Sequence, residues 1–455
     1  MFVNRSTELA ALARWWDLPG VSLGIVWGRR RVGKTALLEH FAADLPVVFH
    51  TAAGRPLADE LQLLSRAVGS FGDRLRDFEA RPFAAWEDAL EALAAAARRR
   101  RLLVVLDEFP ELVRTSPDLP GRLRAFWDRA RGQTKLKLLL CGSAVRTMDA
   151  MRREREPLYG RFDLSLLVQP FRPHEAARML PALDPADRAL VWGIVGGVPL
   201  YLEWWDERVS VSENLLRLVC SPGGQLLTEG QLVLATEAES GDLARLALRA
   251  IAAGRTKHNE IEQAVRADPT RTLERLVELQ LVERMVPVTE DPRRTRRRLY
   301  RVADNFLAFW LSVVDRHRTA IERGLSANVA GMLASELDDH MGERFEAAFR
   351  DHLALLAAEG RLGEEVIDIG RWWADSPSVE IDAVAVAGRS RTPVLAGEAK
   401  WSRRIDARRL VPLLERKSER LPDAAADLRY ALCAREAVDH GENITVITAA
   451  DIFGS

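Results

Sequence analysis

Nearly unbroken apolar runs at Val21–Trp27, Leu102–Leu106 and Leu138–Cys141 are each followed by glycine or acidic residues. Such runs predict strands buried on both faces, as in a parallel α/β sheet. Around them the apolar positions take a helical period. Ala36–Ala43 reads A-L-L-E-H-F-A-A, and an Ala-rich stretch closes on the four arginines Arg98–Arg101. From about Pro173 to Glu237 the pattern is helical with proline breaks and includes the loop Ser221–Gly224. Helical segments near Ala244–Ala252, Asn259–Val265 and Thr270–Leu279 then precede extended segments at Val282–Val288 and Leu299–Val302. Three helices and a hairpin form the winged-helix pattern. Farther on, Gly342–Phe349 reads as a helix, and Val379–Val386 and Pro393–Trp401 as two strands.

A chain of 455 residues exceeds one core, and about three or four domains are expected. Composition is 47% hydrophobic and 29% charged with a net charge of -1, so nucleic-acid binding would have to come from local patches. Cys141, Cys220 and Cys433 have neither disulfide-framework nor metal-ligand spacing. There is no signal-peptide pattern and no membrane-length apolar stretch, so the reading is a soluble cytoplasmic protein without membrane attachment. Trp15-Trp16 and Trp372-Trp373 read as core or interface aromatics before base-stacking platforms.

The first apolar run leads into Gly28–Thr35, G-R-R-R-V-G-K-T, a full match to G-x-x-x-x-G-K-[ST]. The strand–loop–helix context separates it from an ordinary glycine-rich turn. The segment Gly28, Arg29, Arg30, Arg31, Val32, Gly33, Lys34, Thr35 and Ala36 would wrap a polyphosphate with its backbone N–H groups, Lys34 reaching the β- and γ-phosphates and Thr35 holding Mg²⁺. The second run ends in Asp107 and Glu108, which would lie beside this loop, Asp107 orienting Mg²⁺ and Glu108 polarising the attacking water. Ser143 ends the third run and reads either as a γ-phosphate or water contact or as a turn serine. Arg161, after a Pro157 break, reads as a cation for the transferring phosphoryl group or as a solvated surface arginine.

The chain resembles archaeal-type AAA+/STAND P-loop ATPases with a winged helix and a C-terminal PD-(D/E)XK restriction-endonuclease-like domain. The resemblance rests on F-V-N-R-S-T-E-L, W-G-R-R-R-V-G-K-T-A-L-L, L-D-E-F, C-G-S, L-Y-G-R, G-G-V-P-L-Y-L and Y-R-V-A-D-N-F-L-A-F-W. It implies that Asn4 and Arg5 lie near adenine, that Pro199 in a helical lid contacts the nucleotide, and that Arg161 is a sensing or finger arginine.

Alternation places Glu380 with Asp382, and Glu398 with Lys400, on common strand faces, and a hairpin can bring Asp382, Glu398 and Lys400 together. Two carboxylates suit Mg²⁺, and a lysine beside them can orient or help deprotonate water for attack on a phosphodiester. This is the D…E-x-K arrangement of the resembled superfamily, with Ile381 where its proline would stand. The resemblance adds Glu346 of G-x-x-F-E as a metal ligand, with Glu343 as the alternative. A degenerate domain that only binds, and chance pairing in a structural strand, stay open.

The wing carries Arg293, Arg294, Arg296, Arg297 and Arg298, suited to phosphate contacts or to a solvated tip. Arg403, Arg404, Arg408, Arg409, Arg416, Lys417 and Arg420 read either as a phosphate-tracking helix or as a solvated one.

The expected architecture is α/β multidomain: a P-loop ATPase core (1–172), a helical lid (173–237), a winged helix (238–316) and a nuclease-like domain (317–455). The expected function is an ATP-binding and hydrolysing switch, with ATP and Mg²⁺ as cofactors, coupled to a module that cleaves or binds nucleic acid, DNA before RNA. The alternatives are a signalling or scaffolding ATPase with protein partners, and a transcription regulator acting through the winged helix. Homo-oligomers fit the finger-arginine reading.

Overall fold

The computed structural model describes residues 2–69, 78, 80–236, 241–363, 365–375 and 378–454. They form two compact units, 1–169 and 170–455.

The first unit runs α1 (Ser6–Trp16), β1 (Ser22–Trp27), α2 (Lys34–Ala42), β2 (Val47–Thr51), α3 (Leu57–Gly69), α4 (Trp86–Ala96), β3 (Leu102–Asp107), α5 (Phe109–Thr115), α6 (Leu119–Ala130), β4 (Leu136–Gly142), α7 (Val145–Ala150) and β5 (Leu164–Leu167). Its five strands lie in the order β2-β3-β4-β1-β5, all parallel. The residues of β1, β3 and β4 are buried throughout, as their apolar runs require. Successive strand residues face opposite ways, so two cores flank the sheet. One gathers Val104, Leu106, Phe109 and Leu138, and the other Leu37, Val105 and Leu139.

The second unit begins with α8 (Pro173–Ala177), α9 (Pro185–Val195), α10 (Pro199–Trp204), α11 (Val211–Leu215) and α12 (Gln225–Thr236). Next come α13 (Gly241–Ala252), α14 (His258–Val265), α15 (Thr270–Glu278), β6 (Val282–Met285) and β7 (Leu299–Val302), the two strands pairing antiparallel. Then follow α16 (Asn305–Phe309), α17 (Arg318–Glu322), α18 (Ser326–Ser335) and α19 (Leu337–Ala358). A single core runs from Phe171 to Leu337, so the helices before and after residue 240 share one interior. The expected boundary at 237 and 238 lies outside the described residues.

The chain closes with β8 (Val366–Asp375), β9 (Ser378–Ala387), β10 (Thr392–Lys400), β11 (Arg404–Asp406), α20 (Ala407–Ser418), β12 (Arg429–Ala434), β13 (Ala437–Asp439), β14 (Thr445–Thr448) and α21 (Ala449–Phe453). The main sheet has the order β14-β12-β10-β9-β8, with β8, β9 and β10 antiparallel and β10, β12 and β14 parallel. Phe345 and Phe349 of α19 pack with Ala383, Ala385 and Leu395, whereas Leu414 of α20 packs with Val384, Ala396 and Leu432. Gly397 admits α19: a Cβ there would meet the Phe349 ring at 2.8 Å.

The segment between β6 and β7 is tied to this sheet. Val288 N–H donates to the Arg371 carbonyl at 3.0 Å, Arg391 Nε donates to the Val288 carbonyl at 2.7 Å, and the Val288 side chain is buried with Trp372 and Ile381.

Candidate functional site

In the first unit, β1 delivers the chain into the loop 28–33 and α2 leads it away. Gly28 has φ 152° and Gly33 φ 87°, and a Cβ on Gly28 would lie 2.3 Å from the Val168 carbonyl oxygen. Glycine is therefore required where the loop turns. Val168 N–H in turn donates to the Trp27 carbonyl at 2.7 Å. Lys34 Nζ donates to the Gly28 and Arg29 carbonyls, both at 2.9 Å. Arg29 and Val32 are buried, Arg30 and Ala36 are exposed, and Arg31 has φ 67°.

Thr35 Oγ1 donates to Asp107 Oδ2 at 2.9 Å, which brings together two hard oxygens of the kind Mg²⁺ takes. Glu108 has φ 50°, a left-handed conformation that is costly for a residue with a side chain. Its carboxylate accepts from Ser143 Oγ at 2.9 and 3.0 Å. Thus β3 and β4 end with Asp107 beside Thr35 and Glu108 beside Ser143. Cys141 lies against Asp107, a neighbour that its own strand pattern does not disclose; burial, then the Asp107 charge, pushes its thiol well up.

Arg5 and Asn4 both have positive φ. The buried Arg5 guanidinium donates to the Val32 carbonyl at 2.7 Å and pairs with Glu8 at 2.8 Å, so it braces the phosphate loop. Arg161 is clamped to Asp128 through Nε at 3.0 Å and Nη2 at 2.9 Å. Pro199 is the first residue of α10 in the second unit.

In the second unit, Asp382 on β9 and Glu398 on β10 lie one step beyond the Ala383–Gly397 pair. They are 6% and 7% exposed. Lys400 Nζ is 2.8 Å from Glu398 Oε1 and 3.7 Å from Asp382 Oδ2. Ala399 N–H donates to Asp382 Oδ2 at 3.0 Å. Lys417 of α20 reaches both Glu398 oxygens, at 3.0 and 2.9 Å, a contact its place in the basic run does not disclose.

Glu346 of α19 lies 3.3 Å from Arg371 and 3.9 Å from Arg350, and its buried Oε2 accepts no hydrogen bond. Burial, and then the Asp382 charge, raises the Glu346 carboxyl to about 7. Burial and then Glu398 raise Asp382. Burial opposes the Lys400 charge, but Asp382 and Glu398 outweigh it and raise the ammonium. Glu343, the alternative to Glu346, pairs with Arg344 at 3.0 Å. The donor set is oxygen-rich, as a hard divalent cation requires. Among the described residues no three or more His, Cys, Asp or Glu side chains are grouped so as to hold a metal ion. Lys400 and Lys417 instead neutralise the carboxylate pair.

Among the wing arginines, Arg297 turns inward, pairing with Glu290 and donating to the Trp373 carbonyl. Arg293, Arg294, Arg296 and Arg298 are exposed. Arg403 pairs with Glu436 and Arg404 with Asp439. Trp15, Trp372 and Trp373 are buried.

The parallel sheet, phosphate loop and Thr35–Asp107 pair define a P-loop ATPase domain in the first unit. Residues 2–204 match a family described as an ATPase domain predominantly from Archaea, and residues 310–411 match archaeal and bacterial proteins of unknown function. An uncharacterized protein of Methanocaldococcus jannaschii is 25% identical over 97% of this chain and 97% of its own. An uncharacterized ATP-binding protein of that organism is 54% identical over 41 residues, 9% of this chain and 70% of its own. The Walker-type ATPase of Pyrococcus abyssi shares the fold with a TM-score of 0.51 at 21% identity, covering 68% of this chain and 96% of that one. No helix among the described residues is long and apolar enough to cross a membrane.

Proposed function

We propose that this chain is an ATP-driven switch whose second unit acts on nucleic acid through a metal-dependent PD-(D/E)XK-type site preceded by a winged helix. The observation that carries the reading is the contact of Asp382, Lys400 and Glu398 on adjacent strands, in a chain that also has a P-loop. In the ATPase step, Lys34 exchanges its own loop's carbonyls for phosphate oxygens, and Thr35 and Asp107 hold Mg²⁺, which neutralises phosphate charge when bound. Glu108 leaves Ser143 to orient the attacking water. Arg161 acts on the phosphoryl group only after release from Asp128.

At the second site Asp382, Glu398 and Glu346 would have to draw together around a divalent cation that their present grouping does not hold, and that cation would stabilise charge on a phosphodiester. Lys400 orients the attacking water. The exposed wing arginines supply phosphate contacts, with DNA preferred over RNA. The test is cleavage of plasmid, linear duplex, single-stranded DNA and RNA with Mg²⁺ or Mn²⁺, with and without ATP, by wild type and Lys400→Ala. We expect cleavage by the wild type alone; cleavage that persists in the variant would refute the site.

A second reading, an ATPase whose last domain binds protein partners and cuts nothing, is favoured by the neutralisation of Glu398 by two lysines. It requires that changes at Asp382, Glu398 and Lys400 leave function intact.

A further inference from the structure

A cavity of about 380 Å³ lies in the second unit, bounded by the end of α13, by β7, by the turns after α16 and by the first half of α19. Small-molecule pockets occupy about 300–1,000 Å³. Its walls combine apolar residues, among them Val302 and Val313, with Arg301, Arg344 and His340. These three take no part in the contact of Asp382, Glu398 and Lys400.

The side chains of Arg301 and Arg344 are only 21% and 16% exposed, and each meets one carboxylate oxygen, of Glu283 at 2.5 Å and of Glu343 at 3.0 Å. A guanidinium carries five N–H donors, more than one oxygen takes up. Burial opposes the Glu343 charge, but Arg344, Arg301, Arg371 and Arg350 outweigh it and hold the carboxyl below its ordinary range. Burial lowers the Arg344 guanidinium, Glu343 opposes the fall and the Arg301 charge adds to it. Several cations therefore bear on one carboxylate, and an added anion relieves them. His340 supplies a different group. Its Nε2 donates to the Gly193 carbonyl, and burial, then the Arg344 charge, lowers its pKa to about 3, so the neutral ring keeps Nδ1 as an acceptor.

We propose that this cavity binds a small phosphomonoester of nucleotide kind, its phosphate on the remaining donors of Arg301 and Arg344 and an N–H of its body on His340 Nδ1. Val302 and Val313 cover the apolar part of that body.

The experiment titrates adenosine and guanosine 5′-monophosphates separately into the full chain carrying Lys34→Ala, so that the phosphate loop does not compete, and reads the heat. Inorganic phosphate, the two nucleosides and a DNA duplex are titrated alongside. At least one monophosphate should bind saturably, about tenfold or more tighter than phosphate or its own nucleoside, and adding Arg344→Met should weaken it about tenfold or more. A second measurement needs no variant: the same monophosphate should slow phenylglyoxal modification of Arg344 in the wild type, read by mass spectrometry.

No saturable binding of either monophosphate, phosphate or duplex bound as tightly, affinity unmoved by Arg344→Met, or Arg344 modification unchanged by the ligand would each overturn the site.

Discussion

His340 on α19 donates from Nε2 to the Gly193 carbonyl at 2.9 Å and stands edge-on to Phe309, in an interior that resists its charge. Burial, and then the Arg344 charge, lowers its pKa from 6.5 to about 3. The unfolded chain takes up a proton near 6.5 that the folded chain refuses until about 3, so stability is full above this window and falls as pH drops through it. We expect His340→Gln to flatten the fall in urea midpoint between pH 6.5 and about 4, leaving a smaller slope in which the lowered His50 and His352 are opposed by Glu346, whose raised carboxyl favours the folded state as pH falls. An unchanged slope would refute a buried neutral His340. At this scale the phosphate loop is legible in the sequence because Gly28–Thr35 is contiguous. The contacts of Lys417 and Arg371 are not, because their partners lie on other elements and leave no local pattern.

Among the elements, the β6–β7 connection does more than present a basic tip. Val288 is 3% exposed and its backbone joins β8 through Arg371. Val288→Ala removes buried methyl groups and should cost about 1–2.5 kcal/mol, read from denaturant unfolding. A loss below about 0.3 kcal/mol would mean that the connection detaches easily. The strands are legible from their unbroken runs, and β9 and β10 from alternation that sets Asp382, Glu398 and Lys400 on one face. The docking of Val288 is illegible: it pairs with a residue far along the chain, and local periodicity carries no trace of that.

The molecule as a whole has two compact units, of which the first holds the phosphate loop. Calorimetry of the full chain should resolve a transition raised by ATP and Mg²⁺, with about 2.7 kcal/mol gained at roughly a hundredfold excess over Kd. Lys34→Ala should abolish that gain. A gain that survived the substitution would place the nucleotide elsewhere. The chain leaves the first unit just after Val168, whose carbonyl fits against Gly28. Recombination between related genes therefore meets a limit inside the first unit: a crossover before β5 would separate Gly28 from the Val168 carbonyl it fits against, and the hybrid is expected to lose nucleotide binding.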